Sequence, residues 1–201
     1  MPSRAKQGEI AMAVAARLDD DHTVLLEAIR SRCLKTDGPY RLGSGGTSQY
    51  YLDIRILLND GEALARIARL VMGRLPSETD AVGGMMSSSI PISTAVLLLN
   101  LQTHRLKEAL RGFWVRQEEK THGLGGLVSG RLERNDQIVV VDDVTTQGKS
   151  VMKVVDAVRE LGARVLKVVT IVDREEGAST VLKSHRVPFD PIFTSGDILG
   201  K

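Results

Sequence analysis

The chain holds one cysteine, Cys33, so it can form neither an intrachain disulfide nor a cysteine-based zinc site. Cys33 lies among apolar residues of an expected helix, which points to a buried structural thiol over a reactive nucleophile. This cysteine usage fits the cytoplasm. Aromatics are scarce: three Phe, three Tyr and one Trp offer no series of platforms on which single-stranded nucleic acid could stack. An excess of one charge is missing too. The balance of 27 Lys+Arg against 25 Asp+Glu gives +2, too even for a general nucleic-acid binder. Long hydrophobic runs are also lacking. Val96-Leu97-Leu98-Leu99 cannot span a bilayer, and Ala11–Leu18 is short and interrupted by Arg17. Met1–Gln7 is polar and basic but precedes no long apolar stretch, so neither a signal peptide nor a membrane span is expected.

What is present is 201 residues with 42% hydrophobic content, enough for one compact α/β core and a small appendage. Ile10–Leu34 reads as one or two helices, with a break expected at Asp19-Asp20-Asp21 and an apolar face of Leu25, Leu26, Ile29 and Cys33. Tyr40–Leu57 reads as two strand-like pieces around Ser44-Gly45-Gly46, a hairpin. If its end is extended, one of Tyr50 and Tyr51 faces the core. Helices are predicted over Gly61–Leu75, Ile90–Asn100 and Gly148–Leu161. Strands are predicted over Asp80–Gly84, Gly112–Arg116, Gln137–Val141 and Arg164–Val172, with a long loop over Gln117–Gly130. Apolar strands without alternation suit a parallel sheet buried on both faces. The expected fold is therefore α/β, a doubly wound, mostly parallel sheet flanked by helices. Residues 1–60 form an N-terminal helix and hood, and residues 61–201 form the core.

The chemistry concentrates in Val139-Val140-Val141-Asp142-Asp143-Val144-Thr145-Thr146-Gln147-Gly148-Lys149-Ser150. An apolar strand delivers two acids to the carboxyl end of the sheet, where ligands of open α/β folds bind. A helix then starts, and its free N–H groups and positive dipole end suit a phosphate. Thr145, Thr146 and Ser150 add hydroxyls, and Gly148 lets backbone come close. Acids repel phosphate, so their presence calls for ribose hydroxyls or a magnesium-bound diphosphate as partners. A nucleotide P-loop is excluded because the residue five before Gly148 is Asp143, not glycine. A Rossmann fingerprint is excluded because Val128 stands where the third glycine after Gly123-Leu124-Gly125 belongs. An ordinary strand-to-helix turn with capping Asp would need fewer polar residues than are present.

This segment resembles the phosphoribosyl pyrophosphate (PRPP) signature of type I phosphoribosyltransferases. Arg116-Gln117-Glu118-Glu119-Lys120-Thr121-His122-Gly123 looks like the mobile catalytic loop of the orotate phosphoribosyltransferases within them. Leu42–Asp53 is similar to that family's base-binding hairpin, Val82-Gly83-Gly84 leading into Ile90–Ala95 is similar to its counterpart there, and Val172-Asp173-Arg174-Glu175-Glu176-Gly177 is similar to a strand-end motif whose Arg binds the orotate carboxylate. The resemblance implies transfer of ribose 5-phosphate from PRPP to orotate, giving orotidine 5'-phosphate and diphosphate. Lys120, His122, Asp142 and Asp143 are implied as catalytic, with either Lys120 or His122 able to supply a proton. Arg116, Gln117, Lys120, His122 and the run from Asp142 through Val144, Thr145, Thr146, Gln147, Gly148 and Lys149 to Ser150 are implied to hold PRPP. Tyr51, Leu52, Thr146 and Arg174 are implied for the base. It further implies Mg2+ carried by the diphosphate with no direct protein ligand, and a homodimer whose loop reaches the neighbouring site.

Departures and plainer readings stand beside this. Gln117 occupies a position where many orotate enzymes have Lys, and Gly43 and the neighbourhood of Ser88 lack lysines that some members carry. Ser87-Ser88-Ser89 serves either as diphosphate donors or as a helix-start cap. Gln117–Gly123 alone would be a solvated charged turn, and Arg174 could be a surface ion pair with Glu175 or Glu176. His22, His104 and His185 have no ligand spacing and read as surface residues. Transfer to another base, or a non-catalytic PRPP-binding regulator, are the alternatives to an orotate enzyme.

Overall fold

The computed structural model describes residues 17–41, 46–118 and 126–200. The tip of the predicted hairpin (42–45), Lys120, His122 and Gly123 lie outside them. Residues 17–28 are helical (α1) and continue into a wider π-turn over Ile29–Cys33. The expected break at Asp19-Asp20-Asp21 does not occur. Asp21 is buried against the next long helix, accepting from Arg69 Nε at 2.6 Å and Nη2 at 2.7 Å and from Arg66 Nη1 at 2.9 Å. Burial pushes its pKa up, but the two guanidinium groups outweigh that and hold it below the ordinary value. Leu25, Ile29 and Cys33 form the buried stripe predicted for this helix. Burial pushes the Cys33 thiol up to about 11, which suits a structural role.

Four two-residue strands follow: β1 (Leu34–Lys35), β2 (Tyr40–Arg41), β3 (Thr47–Ser48) and β4 (Tyr51–Leu52). β2 pairs antiparallel with β3, which is the predicted hairpin, and β1 pairs antiparallel with β4. A short helix, α2 (Arg55–Leu58), leads to α3 (Gly61–Arg74), whose N-cap Asp60 accepts from the amides of Glu62 and Ala63.

The core sheet comprises β5 (Ala81–Met85), β6 (Arg111–Val115), β7 (Val128–Gly130), β8 (Gln137–Thr145), β9 (Arg164–Asp173) and β10 (Phe189–Thr194). Their order is β10-β9-β8-β5-β6-β7, parallel throughout except for the β6–β7 pair. Helices α4 (Ser89–Thr103), α5 (Lys149–Glu160), α6 (Ala178–Ser184) and α7 (Ser195–Leu199) connect or follow these strands. One hydrophobic cluster joins α1, α3 and α4 to one face of the sheet, and a second joins α5 and α6 to the other. The doubly wound, mostly parallel α/β fold is as expected.

The structure departs from the sequence reading at the end of β8, at β7 and in the placement of the two tyrosines. β8 continues past Val141 through both acids, because Asp142, Val144 and Thr145 find β9 partners in Thr170, Val172 and Asp173. The end of the expected Gln117–Gly130 loop is the edge strand β7, held to Phe113–Val115 of β6. Neither Tyr50 nor Tyr51 enters the core: both are half-buried, and Leu52 fills the core position instead. Gly83 and Gly84 of β5 answer to close strand approach. A Cβ on Gly83 would lie 1.8 Å from the Phe113 carbonyl oxygen, and one on Gly84 would lie 2.1 Å from that of Val141.

From β5 the chain moves outward to β6 on one side, then returns to β8 on the other side and continues to β9 and β10. The switch point therefore falls between β5 and β8, and the crevice beyond their carboxyl ends is where such a fold receives its ligand.

Candidate active site at the sheet switch point

Two connections meet at that crevice. After β5 comes Met86-Ser87-Ser88, and after β8 comes Thr146-Gln147-Gly148. They touch through Ser88, whose hydroxyl donates to Asp142 Oδ1 at 3.4 Å. The same oxygen accepts from the Asp143 amide at 3.1 Å. Asp142 is 6% exposed, and burial followed by the neighbouring Asp143 pushes its pKa well above the ordinary carboxylate value. Asp143 is half-exposed beside it. A carboxyl held in this setting suits a partner that donates protons to it or brings positive charge.

The helix start expected to receive a phosphate follows at once. Gly148 caps α5 with φ +78°, a left-handed conformation that an L side chain adopts at a cost, and no side chain caps the helix start. The first amides of α5 are thus left to a ligand or water. Gln147, Lys149 and Ser150 are exposed around this turn, and Thr146 is half-buried with its carbonyl accepting from the Ala178 amide at 3.1 Å. Val144 is half-buried and packs on the core. Thr145 is placed differently from its expected role as a phosphate donor. It is 1% exposed and its hydroxyl donates to Thr170 Oγ1 at 3.0 Å, because its position in β8 turns it into the sheet.

The opposite wall comes from the end of β9. Arg174 is 6% exposed. Its Nε donates to Glu176 Oε1 at 2.8 Å, its Nη2 donates to Ser48 Oγ at 3.1 Å, and its guanidinium carbon lies 4.4 Å from the centre of the Tyr50 ring. The ion pair considered from sequence is present, with Glu176 and not Glu175. Arg174 also ties the N-terminal hairpin to the core sheet. Tyr51 is half-buried, 5.7 Å from Tyr40 ring to ring, and its hydroxyl accepts from Arg55 Nη2 at 3.4 Å. Arg55 is itself held by Asp53 through Nε at 2.7 Å and Nη2 at 2.9 Å. Leu52 has its side chain in the core, so on this stretch Tyr51 supplies the outward-facing side chain.

Of the loop residues, Arg116 is half-buried at the end of β6, its amide donating to the Leu127 carbonyl at 2.9 Å. Gln117 is exposed and its carbonyl accepts from the Lys153 ammonium. Lys120 and His122 fall outside the described residues. The structure thus brings Asp142, Asp143, Thr146 and Gly148 to one crevice, with Tyr51 and Arg174 on the N-terminal side. Sequence reasoning named Glu176 as an ion-pair candidate and placed Ser48 and Tyr50 in the hairpin, but missed that Ser48 and Tyr50 hold Arg174, that Arg55 braces Tyr51, and that Ser88 links to Asp142. Ser48 is 126 residues from Arg174, and no local pattern signals such a pair. Of the histidines read as surface residues, His22 is half-buried, its ring 4.5 Å from that of Phe193.

A family model described as "Phosphoribosyl transferase domain" matches residues 62–194. The orotate phosphoribosyltransferase of Rhodopseudomonas palustris (strain BisB5) is 34% identical over 183 residues, covering 88% of this chain and 95% of that protein. Among solved structures, the Mycobacterium tuberculosis H37Rv orotate phosphoribosyltransferase in complex with Fe(III) dicitrate superimposes with a TM-score of 0.72 at 28% identity, over 89% of this chain and 98% of that one. The same enzyme in complex with 5-phospho-alpha-D-ribosyl 1-diphosphate gives a TM-score of 0.69 at 25% identity, with the same coverage. The switch-point carboxylates, the uncapped helix start and these likenesses agree, and the chain belongs to the orotate phosphoribosyltransferase family of type I phosphoribosyltransferases, a family of transferase enzymes.

Proposed function

We propose that this chain transfers ribose 5-phosphate from PRPP to orotate in a magnesium-dependent reaction, forming orotidine 5'-phosphate and diphosphate. The observation that carries this is an Asp pair and an uncapped helix start at the carboxyl end of β8, beside a nearly buried arginine whose amide donates to the Thr145 carbonyl at 2.9 Å. The 5-phosphate meets the amides at the start of α5 and the side chains of Thr146 and Ser150. Asp142 and Asp143 accept from ribose hydroxyls. Arg174 takes the orotate carboxylate, for which a planar guanidinium is the matching donor, and Tyr51 flanks the ring.

Breaking the bond between ribose C1 and diphosphate builds positive charge on the sugar and negative charge on the leaving group, as in glycoside cleavage. Arg116, Lys120 and His122 stabilise the leaving diphosphate, and closure of their loop keeps out water that would hydrolyse the sugar phosphate. Among the described residues no three His, Cys, Asp or Glu side chains converge into a metal site. A buried Asp142 beside a half-exposed Asp143 fits an ion that arrives with the diphosphate, which the two carboxylates would hold through water. Magnesium would neutralise diphosphate charge and ease its departure. The exposed apolar side chains of α4, Leu98 at 57% and Leu101 at 61% exposure, support a homodimer built on this face.

The test is to mix purified protein with Mg2+, PRPP and orotate and follow orotate absorbance, with adenine, guanine and uracil in parallel. Orotate consumption that falls about 100-fold or more in Lys120→Ala is expected. Consumption of a different base would reassign the substrate. PRPP binding without turnover of any base would leave a regulator in place of an enzyme.

A further inference from the structure

Arg174 cannot be understood as a lone substrate clamp, because it already has an anion. Glu176 Oε1 accepts from Nε at 2.8 Å, in a pair whose side chains are 5% and 32% exposed. Glu175 is excluded from that role, since its Oε2 is committed to the Ser195 hydroxyl at 2.6 Å and the Gly196 amide at 2.9 Å. Ser48 takes Nη2 and the Tyr50 ring covers one face of the guanidinium. Nε and Nη2 share one edge of the planar group. The other terminal nitrogen, Nη1, makes no hydrogen bond to a described residue. An incoming carboxylate therefore finds the cation held in place on one edge and already neutralised there.

We propose that Glu176 is the resident counter-anion of Arg174 and sets how tightly this site holds a carboxylate-bearing base. The inference rests on the reading of Arg174 as the orotate carboxylate receptor. A nearly buried guanidinium without an anion is costly, and Glu176 removes that cost while the site is empty. When the carboxylate of the base binds the remaining side, two anions share one cation, and each lowers the affinity of the other. Glu176 is one-third exposed, so water screens this repulsion in part and the effect is moderate. A base without a carboxylate does not feel it. Glu176 thus weakens binding of the charged base and of the charged nucleotide product alike, while keeping Arg174 aimed in the absence of either.

The experiment compares wild type, Glu176→Gln and Glu176→Ala, measuring kcat, KM for orotate, KM for PRPP and the affinity for uracil. Gln keeps an acceptor for Nε and nearly the same volume but loses the charge. The expected result is a fall of about five-fold in the orotate KM of Glu176→Gln, the size of a partly screened like-charge repulsion. KM for PRPP and affinity for uracil stay unchanged. Glu176→Ala shows a fall in the same direction. An unchanged or raised orotate KM in Glu176→Gln overturns the proposal. A rise confined to Glu176→Ala, with Glu176→Gln like wild type, shows that Glu176 acts only by propping up Arg174, and it overturns the proposal as well. A wild-type protein that consumes no orotate overturns the substrate reading and this inference together, whereas normal wild-type turnover with no effect of Glu176→Gln overturns the inference alone.

Discussion

The two walls of the crevice are built in opposite ways. The core wall is made by β8 and α5, neighbours in sequence, on strands whose side chains are almost wholly buried. Its polar groups are few and fixed by the fold: Asp142 between the Asp143 amide and Ser88, Thr145 against Thr170, and Gly148 turned left-handed. The N-terminal wall is made from two-residue strands that bury little; Ser48 and Tyr50 tie it to the core through Arg174, and Arg55 braces it internally through Asp53 and Tyr51. On the proposed function, the difference teaches that grip on the sugar phosphate falls to the buried sheet, and choice of base to a few side chains held by polar contacts.

Substitutions that separate the walls should therefore separate stability from base binding. The largest effect is expected at the core wall's foundation. In Gly84→Ala the new Cβ would meet the Val141 carbonyl oxygen at 2.1 Å and Ser89 Cβ at 2.9 Å, and backbone cannot step aside. Overpacking of that kind costs about 3 kcal/mol or more, so thermal melting should fall by about 10 °C or the protein should fail to fold.

Where the two walls join, Arg174→Ala should raise the orotate KM about 10- to 100-fold, the worth of a lost charged hydrogen bond, and lower melting by less than Gly84→Ala does, since it also removes the contacts to Glu176, Ser48 and Tyr50. KM for PRPP should hold. A parallel rise in both KM values would mean that the walls are not independent.

Asp142→Asn sharpens the comparison through pH. Burial and Asp143 raise the folded-state pKa of Asp142, so the folded chain binds its proton more tightly than the unfolded chain does. Its stabilising contribution is present in full below the ordinary carboxylate pKa and is lost as pH rises toward the raised folded value. At neutral pH Asn removes that penalty. Melting should then rise by about 2–4 °C over wild type, with the difference vanishing near pH 4 and with turnover reduced. Equal melting of the two proteins across the pH range would show that Asp142 is not strained by ionisation. The smallest effect is expected for Ser48→Ala, which deletes one hydrogen bond to Arg174. It should raise the orotate KM about three-fold without a change in melting, read in the same assay.

The core wall was legible in the sequence because its signals are local. Ile138–Val141 is an unbroken apolar run, Asp142-Asp143 follows it, and Gly148 precedes an amphipathic helix, so strand, ligand turn and helix could be read in line. The expected end of β8 at Val141 was short because charge marks a strand's end only when no partner strand continues, and β9 continues. The apparent loop after Gln117 hid β7 because three residues carry no periodicity, and pairing with β6 alone makes them a strand. On the N-terminal wall, Tyr51 and Arg174 were found through family resemblance. Their settings were legible only in part: an ion pair with Glu175 or Glu176 could be read from adjacency, whereas the contacts of Ser48 and Tyr50 with Arg174 join residues more than a hundred positions apart.

Composition and order of elements by themselves determined that this chain is a doubly wound α/β protein with a glycine turn and helix start after an acid-tipped strand. Hydrophobic burial follows periodicity, and helix starts follow capping and glycine, all properties of neighbouring residues. Only the tertiary structure decided that Thr145 faces the sheet and not the ligand, that Leu52 rather than Tyr50 or Tyr51 fills the core, and that Arg174 already holds Glu176 and Ser48. Those outcomes depend on which strands lie side by side and which distant hydroxyl or carboxylate comes within about 3 Å, and hydrogen-bond geometry at that range is set by packing, not by position in the chain.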